Sequence, residues 1–523
     1  MKADSHIAPY FSKSIAPVFG LNHLGLRNAA EDLFTTLLPG LNGVTLRVRY
    51  YSFYCWITGE VKRVIMGKPD PAEEFRLVIR KSEILLALIN AYRDPNVTGI
   101  PGIDYARNIL NQEHGDIDLM RCVHRPENSR DTTGTYWANR GGILRQYYNA
   151  SLKDMALLPS LKDYPSISVP SQASDGLPDN TILGETLGQS FAQSIGERAA
   201  ERFVSCVLHS SANDSDLKEM QDVFVMKDFG EIGAEKDLLI DTLNQKDTPD
   251  SEHNNRFLRR DTIRLFLDYA AHDRVEGQRD AEQFPTVIYK KVLDGILGDS
   301  CSLGWYAYHI NDRWQYHSSV IFRCLLDILD KSSGWISIND LSISLAEEMY
   351  HYIVKKDGVT LGDICNLIDN GDIDNLDNKT TGGMAADAMV SLLRLYCENR
   401  VHPDIVESYK SAFKDIRAHR TDFFSYMDEL DGLQESSFLD FLRDFIVTKI
   451  IYQHHTVSLL KYSATGIASN KFLLEDGYLR FIEQTECTAT APRIVPLIEY
   501  LTDLGLLKDM APTPDAIKRY ELN

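Results

Sequence analysis

Apolar residues recur at intervals of three and four through most of the chain, the spacing of one face of an α-helix. Ala29, Leu33, Phe34, Leu37 and Leu38 predict a helix over 28–38. Pro39-Gly40 ends it, because proline disfavours helical geometry in the residue before it and glycine frees the backbone. Asn42-Gly43 adds a second turn signal, and Thr45 is placed as an N-cap for a following helix. That helix carries Arg47 and Arg49, then Tyr50, Tyr51, Phe53, Tyr54 and Trp56. Two helical residues two apart stand about 200° apart around the axis, so the arginines cannot share a face. The aromatic run is too continuous for a solvated helix. One arginine is therefore expected to point inward, onto a carboxylate.

The same periodicity predicts helices over 72–92, 194–208, 216–226, 304–329, 337–355, 385–398, 407–415 and 438–460. A Pro-, Ser- and Gly-containing stretch over 161–180 reads as a linker. The helix from Asn255 places Arg256, Arg259, Arg260 and Arg264 three and four apart. They form a basic stripe that can face phosphates or be solvated and bridged within the chain. Strand signals are few, the best being 463–469 with 471–474.

The last fifty residues behave differently. Helices are expected over 478–484, 491–504 and 515–522, with Gly505-Leu-Leu-Lys508 as a short strand and Pro512-Thr-Pro514 as a turn. This order resembles the end of a bacterial winged-helix domain. Arg493, Lys508, Lys518 and Arg519 are its available cations, while Glu499 and Asp503 oppose phosphate. DNA contact and protein contact both remain open. The expected fold class is mainly α: a multi-domain helical protein with regions over 1–160, 181–330 and 335–475 and a C-terminal winged helix over 478–523.

Length supports that division, since 523 residues exceed what one core holds. A formal net charge of −20 argues against an unselective nucleic-acid coat. The eight cysteines are far apart and none shows Cys-x-x-Cys spacing, which fits free thiols in a reducing cytoplasm. The opening residues have no apolar leader-like core, and no run is long enough to span a membrane.

Candidate chemistry is sparse. Glu348-Met-Tyr-His351 has the spacing of a di-iron helix, but no second copy accompanies it. His454 and His455 are neighbours that point about 100° apart on a helix and cannot share one metal unaided. Asp369, Asp372, Asp374 and Asp377 lack the glycine and glutamate of a calcium loop. No phosphate-binding glycine loop, nucleophile elbow or zinc-protease helix occurs. No catalytic, cofactor-binding or metal-ligating residue is assigned.

Leu24-Gly25, Asp32-Leu33-Phe34, Leu38-Pro39-Gly40, Thr45, Arg47-Val-Arg49-Tyr50 and Trp56, with Tyr136-Trp137, Tyr147-Tyr148, His455 to Lys461 and Leu474 to Gly477, are similar to uncharacterised bacterial families. Those families are encoded in multi-gene antiphage or mobile-element defence clusters, beside ATPases or nucleases. The resemblance implies a setting and no activity. The expected function is a non-catalytic component of a cytoplasmic defence complex that assembles protein partners and engages DNA. A nuclease with an unrecognised site and a winged-helix transcriptional regulator are the alternatives.

Overall fold

In the computed structural model of the chain, the described residues are 22–65, 69–112, 115–123, 135–158, 182–227, 229, 233–245, 257–332, 334–373, 376, 379–414 and 422–522. Arg256, the stretch 161–180 and two aspartates of the acidic tract, Asp374 and Asp377, lie outside them. The architecture is mainly α, with strands of two to four residues. No helix of the described residues is long and apolar enough to cross a membrane.

Two compact units divide the chain. Unit I is Met1–Phe34 with Pro285–Thr490, and unit II is Thr35–Phe284 with Ala491–Asn523. Each is assembled from two separated stretches. Residues 478–523 are therefore split between the units at 490/491.

Unit I is built on the helix Ser300–Lys331, whose N-terminus is capped by the Asp299 carboxylate accepting from the amides of Cys301 and Ser302. Its apolar face packs on the helix Thr381–Arg400, which also packs on Ile338–Ile353. Trp305, Ile321, Leu325, Leu345 and Met349 are fully buried in this unit. A three-stranded antiparallel sheet has Tyr478–Phe481 between Ile336–Ser337 and Phe472–Glu475. The helix expected over 478–484 is thus a strand. Asp476 and Gly477 turn the hairpin with φ of 49° and 78°, the positive pair that a two-residue hairpin loop requires. Leu479 then points inward while Tyr478 and Arg480 point out, an alternation no helix can make.

Unit II is built on the helix Tyr50–Ile65, where Tyr50 to Ile57 are all buried. It starts at Tyr50, so Arg47 and Arg49 belong to the turn before it and are not bound by helical angles. Thr45 is no N-cap; it is buried and accepts a hydrogen bond from the Tyr500 hydroxyl at 2.9 Å. The helix Ile182–Ile195 packs directly on it through Gly188, where a Cβ would come within 2.9 Å of the Cys55 carbonyl carbon and the Trp56 nitrogen.

The end of the chain runs as the helix Ile494–Asp503, the strands Leu507–Lys508 and Ala511–Pro512, and the helix Pro514–Tyr520 capped by Thr513. It is not a separable appendage. Ile494, Leu497, Tyr500, Leu501 and Leu504 are fully buried in unit II. The Tyr520 hydroxyl donates to Asn244, and Arg519 bridges Asp237.

Candidate functional sites: a buried arginine clamp and two exposed surfaces

Both arginines of the opening motif are buried and each holds a carboxylate. Arg49 donates from Nε and Nη2 to the two oxygens of Glu235, both at 3.0 Å. Its Nη1 donates to the carbonyls of Val223 and Val225 at 2.9 and 2.7 Å, and Nη2 also donates to Ser194 Oγ. All five guanidinium N–H groups thus have acceptors. Glu235 is completed by the hydroxyls of Ser52 and Ser194, each at 2.6 Å. Phe191 and Phe229 cover the guanidinium at 4.9 and 5.2 Å. Arg47 donates from Nη1 to Asp503 at 2.9 Å and pairs with Glu499 at 2.7 Å. A saturated ion pair of this kind has no donor left for a ligand, so Arg49 ties four chain segments together and binds nothing else.

Nearby, the Glu83 carboxylate accepts from the Tyr54 and Tyr136 hydroxyls and from the amides of Ile143 and Leu144. Burial raises its pKa above the usual carboxylate value, against the lowering effect of those donors.

The expected basic stripe does not form as one surface. Arg259 is buried, with Nε, Nη1 and Nη2 donating to the carbonyls of Leu243, Pro39 and Thr242. Arg259 directly precedes Arg260, about 100° round the helix from it, which turns its side chain to the inner flank, and three carbonyls at helix and turn ends receive it. Arg260 is exposed but bridged to Asp261, and Arg264 is exposed. Of the C-terminal cations, Arg493 donates to the Leu38 carbonyl and Arg519 bridges Asp515 and Asp237, leaving Lys508 and Lys518 exposed. The helix expected over 491–504, found as Ile494–Asp503, buries its apolar side.

His454 is structural. Its Nε2 accepts from the Lys471 amide at 3.0 Å, so Nδ1 carries the proton and donates to the His23 carbonyl. Burial lowers its pKa to about 3. Among the described residues no group of three or more His, Cys, Asp or Glu could hold a metal ion, Glu348 and His351 included.

Two surfaces stand out instead. In unit I, the outward face of the sheet carries Tyr478 and Arg480 on its central strand, with Ile482 just past the strand's end. The register Ile336–Leu479 and Ser337–Tyr478 sets Trp335 opposite Arg480, and Arg480 pairs with Leu473 on the other side. Trp335, Tyr478 and Ile482 are 42%, 49% and 44% exposed. Arg480 has no ion partner among the described residues. The Asp476-Gly477 turn was the sequence signal for this face.

In unit II, a groove of about 740 Å³ runs between the helices Tyr50–Ile65, Ile182–Ile195 and Glu197–His209. Trp56, Ala192, Ala200, Val204 and Leu208 give it apolar walls, and Glu60, Glu197 and Glu201 line it with carboxylates. Its sequence signal is the run of small residues at Gly184, Gly188, Ala192, Gly196 and Ala200, four apart. No family model, curated protein or solved structure matches the chain.

Proposed function

We propose that this chain is a non-catalytic assembly subunit that binds a protein partner through the outward sheet face of unit I. The observation that carries the reading is the exposed grouping of Tyr478 and Arg480 on the central strand with Trp335 just before the start of its neighbour. Trp, Tyr and Arg are enriched among the few residues that carry most of the binding energy at protein interfaces, because each combines a large apolar body with a polar handle. Arg480 stands between apolar neighbours, where a partner's carboxylate would be shielded from water and bound in fork geometry. The likeness to defence-cluster families makes the product of a neighbouring gene, an ATPase or a nuclease, the first partner to test, in the bacterial cytoplasm. We read the helix–hairpin–helix of 494–520 as winged-helix-like in order, with its helix face spent on the core of unit II. Of the cations expected to meet DNA, Arg259, Arg493 and Arg519 hold acceptors within their own unit, which favours a protein partner over DNA.

The test is co-expression with the neighbouring gene products and purification of the tagged chain. Trp335→Ala with Arg480→Ala should abolish co-purification while the circular dichroism spectrum is unchanged. Retention of the partner by that folded variant would refute the reading.

A further inference from the structure

We propose that the groove of unit II receives a basic amphipathic helix from a protein partner. This stands apart from the sheet face, because it uses other residues and predicts a different partner chemistry.

The shape comes first. Ala192, Gly196 and Ala200 present almost no side chain, so the groove is open where the helices Ile182–Ile195 and Glu197–His209 meet. A helix can approach such a low ridge closely, as small residues allow in other helix pairs. Val204 and Leu208 continue the apolar line along the second helix at spacing four, and Trp56 walls the other side. A line of apolar contacts about 12 Å long, two turns of helix, matches anchors at positions i, i+4 and i+7 of a ligand helix.

The charge comes second. Glu197 and Glu201 are exposed, four residues apart on one helix face. Like charges at this spacing repel. Neither has an ion partner among the described residues. The helix's own arginines are engaged elsewhere: Arg198 with Glu219 and Arg202 with Asp216. Arg63, the one arginine lining the groove, is taken by Glu60. The rim therefore keeps two uncompensated carboxylates beside an apolar floor. Lysines or arginines flanking the apolar stripe of a ligand helix would neutralise both, whereas an acidic helix or a nucleic-acid strand would be repelled.

The experiment uses the full chain and two fluorescein-labelled model helices of about 18 residues, one of leucine and lysine, the other of leucine and glutamate. Anisotropy at physiological salt should show binding of the lysine peptide and none of the glutamate peptide. Ala200→Trp fills the groove without changing charge and should weaken binding about tenfold or more. Leu208→Glu removes an exposed anchor and adds a negative charge. Groove binding then falls by a similar factor, while non-specific attraction to an acidic surface would rise. Val401→Trp, an exposed site in unit I, should leave binding unchanged. Failure of the wild-type chain to bind, or unchanged or tighter binding by Leu208→Glu, would overturn the proposal.

Discussion

The two units bury polar groups in opposite ways. The core of unit II is ionic, with Arg49 on Glu235, Arg47 on Asp503 and Glu499, and Arg259 on three carbonyls. Unit I instead buries neutral imidazoles. His454 is threaded between the Lys471 amide and the His23 carbonyl, and His309 stacks on Tyr289 at 4.6 Å. Burial, aided by nearby Lys471 and Lys461 at His23 and by Arg313 and Lys290 at His309, lowers the pKa of both to about 3. A buried ion pair depends on both members staying in place, so it is vulnerable to a single deletion. A buried neutral histidine depends on the proton staying away, so it is vulnerable to acid.

Deleting residues 491–523 is the harshest break of the comparison. It removes Asp503 from Arg47 and five fully buried aliphatic side chains, Ile494, Leu497, Leu501, Leu504 and Leu506, each contributing roughly 2 kcal/mol or more. The amides of the helix Tyr50–Ile65 should lose protection from hydrogen exchange. Persistent protection would mean that the segment is the separable module its sequence suggests.

Next in size is Arg49→Ala, which strands Glu235 in the core of unit II. A loss of about 3–5 kcal/mol is expected, read as a lower melting temperature and faster exchange within 35–284. An unchanged melt would show that Glu235 finds another partner or a proton.

Acid should act on unit I. His23, His309 and His454 have folded pKa values of about 3 against an ordinary 6.5. Between those values the unfolded chain binds protons that the folded chain refuses. Stability is therefore fully present above about pH 6.5 and falls as pH is lowered, by about 1.4 kcal/mol per pH unit for each histidine that stays neutral. Replacing His454 with glutamine should flatten the dependence of melting temperature on pH between 7 and 5. A slope unchanged by that variant would contradict the account. In unit II, Glu83 has a raised pKa, so its contribution has the opposite sign: it survives acid and is lost as pH rises.

The smallest effect tests the hairpin that carries the aromatic face. Gly477→Ala must hold a Cβ at φ 78° and should cost about 1 kcal/mol, felt in unit I alone. A neutral result would mean the turn changes type.

Helices were legible because their apolar faces recur locally: 28–38 is found as Arg27–Leu37, 72–92 as Pro71–Arg93 and 491–504 as Ile494–Asp503. The helix Asp280–Leu293 was hidden by the internal Pro285. The strand Tyr478–Phe481 was misread because Tyr, Leu, Arg and Phe suit either element, and only the Asp476-Gly477 turn decides it. Arginine partners were out of reach in principle. Glu235 lies 186 residues from Arg49 and Asp503 lies 456 from Arg47, distances that no local pattern spans. Arg259 shows the converse error, since regular spacing in a helix says where a side chain starts and not whether carbonyls wait beneath it.

A double-mutant cycle on Arg49 and Glu235 tests the central structural claim, that unit II is held by a desolvated ion pair. The variants are Arg49→Met, Glu235→Leu and both together, with stability followed by native-state hydrogen exchange of the Tyr50–Ile65 amides. Each single change should cost several kcal/mol, and the double variant should recover about 2 kcal/mol or more relative to their sum. Losses that simply add would contradict the pairing and leave Arg49 as a carbonyl clamp that does not need its carboxylate.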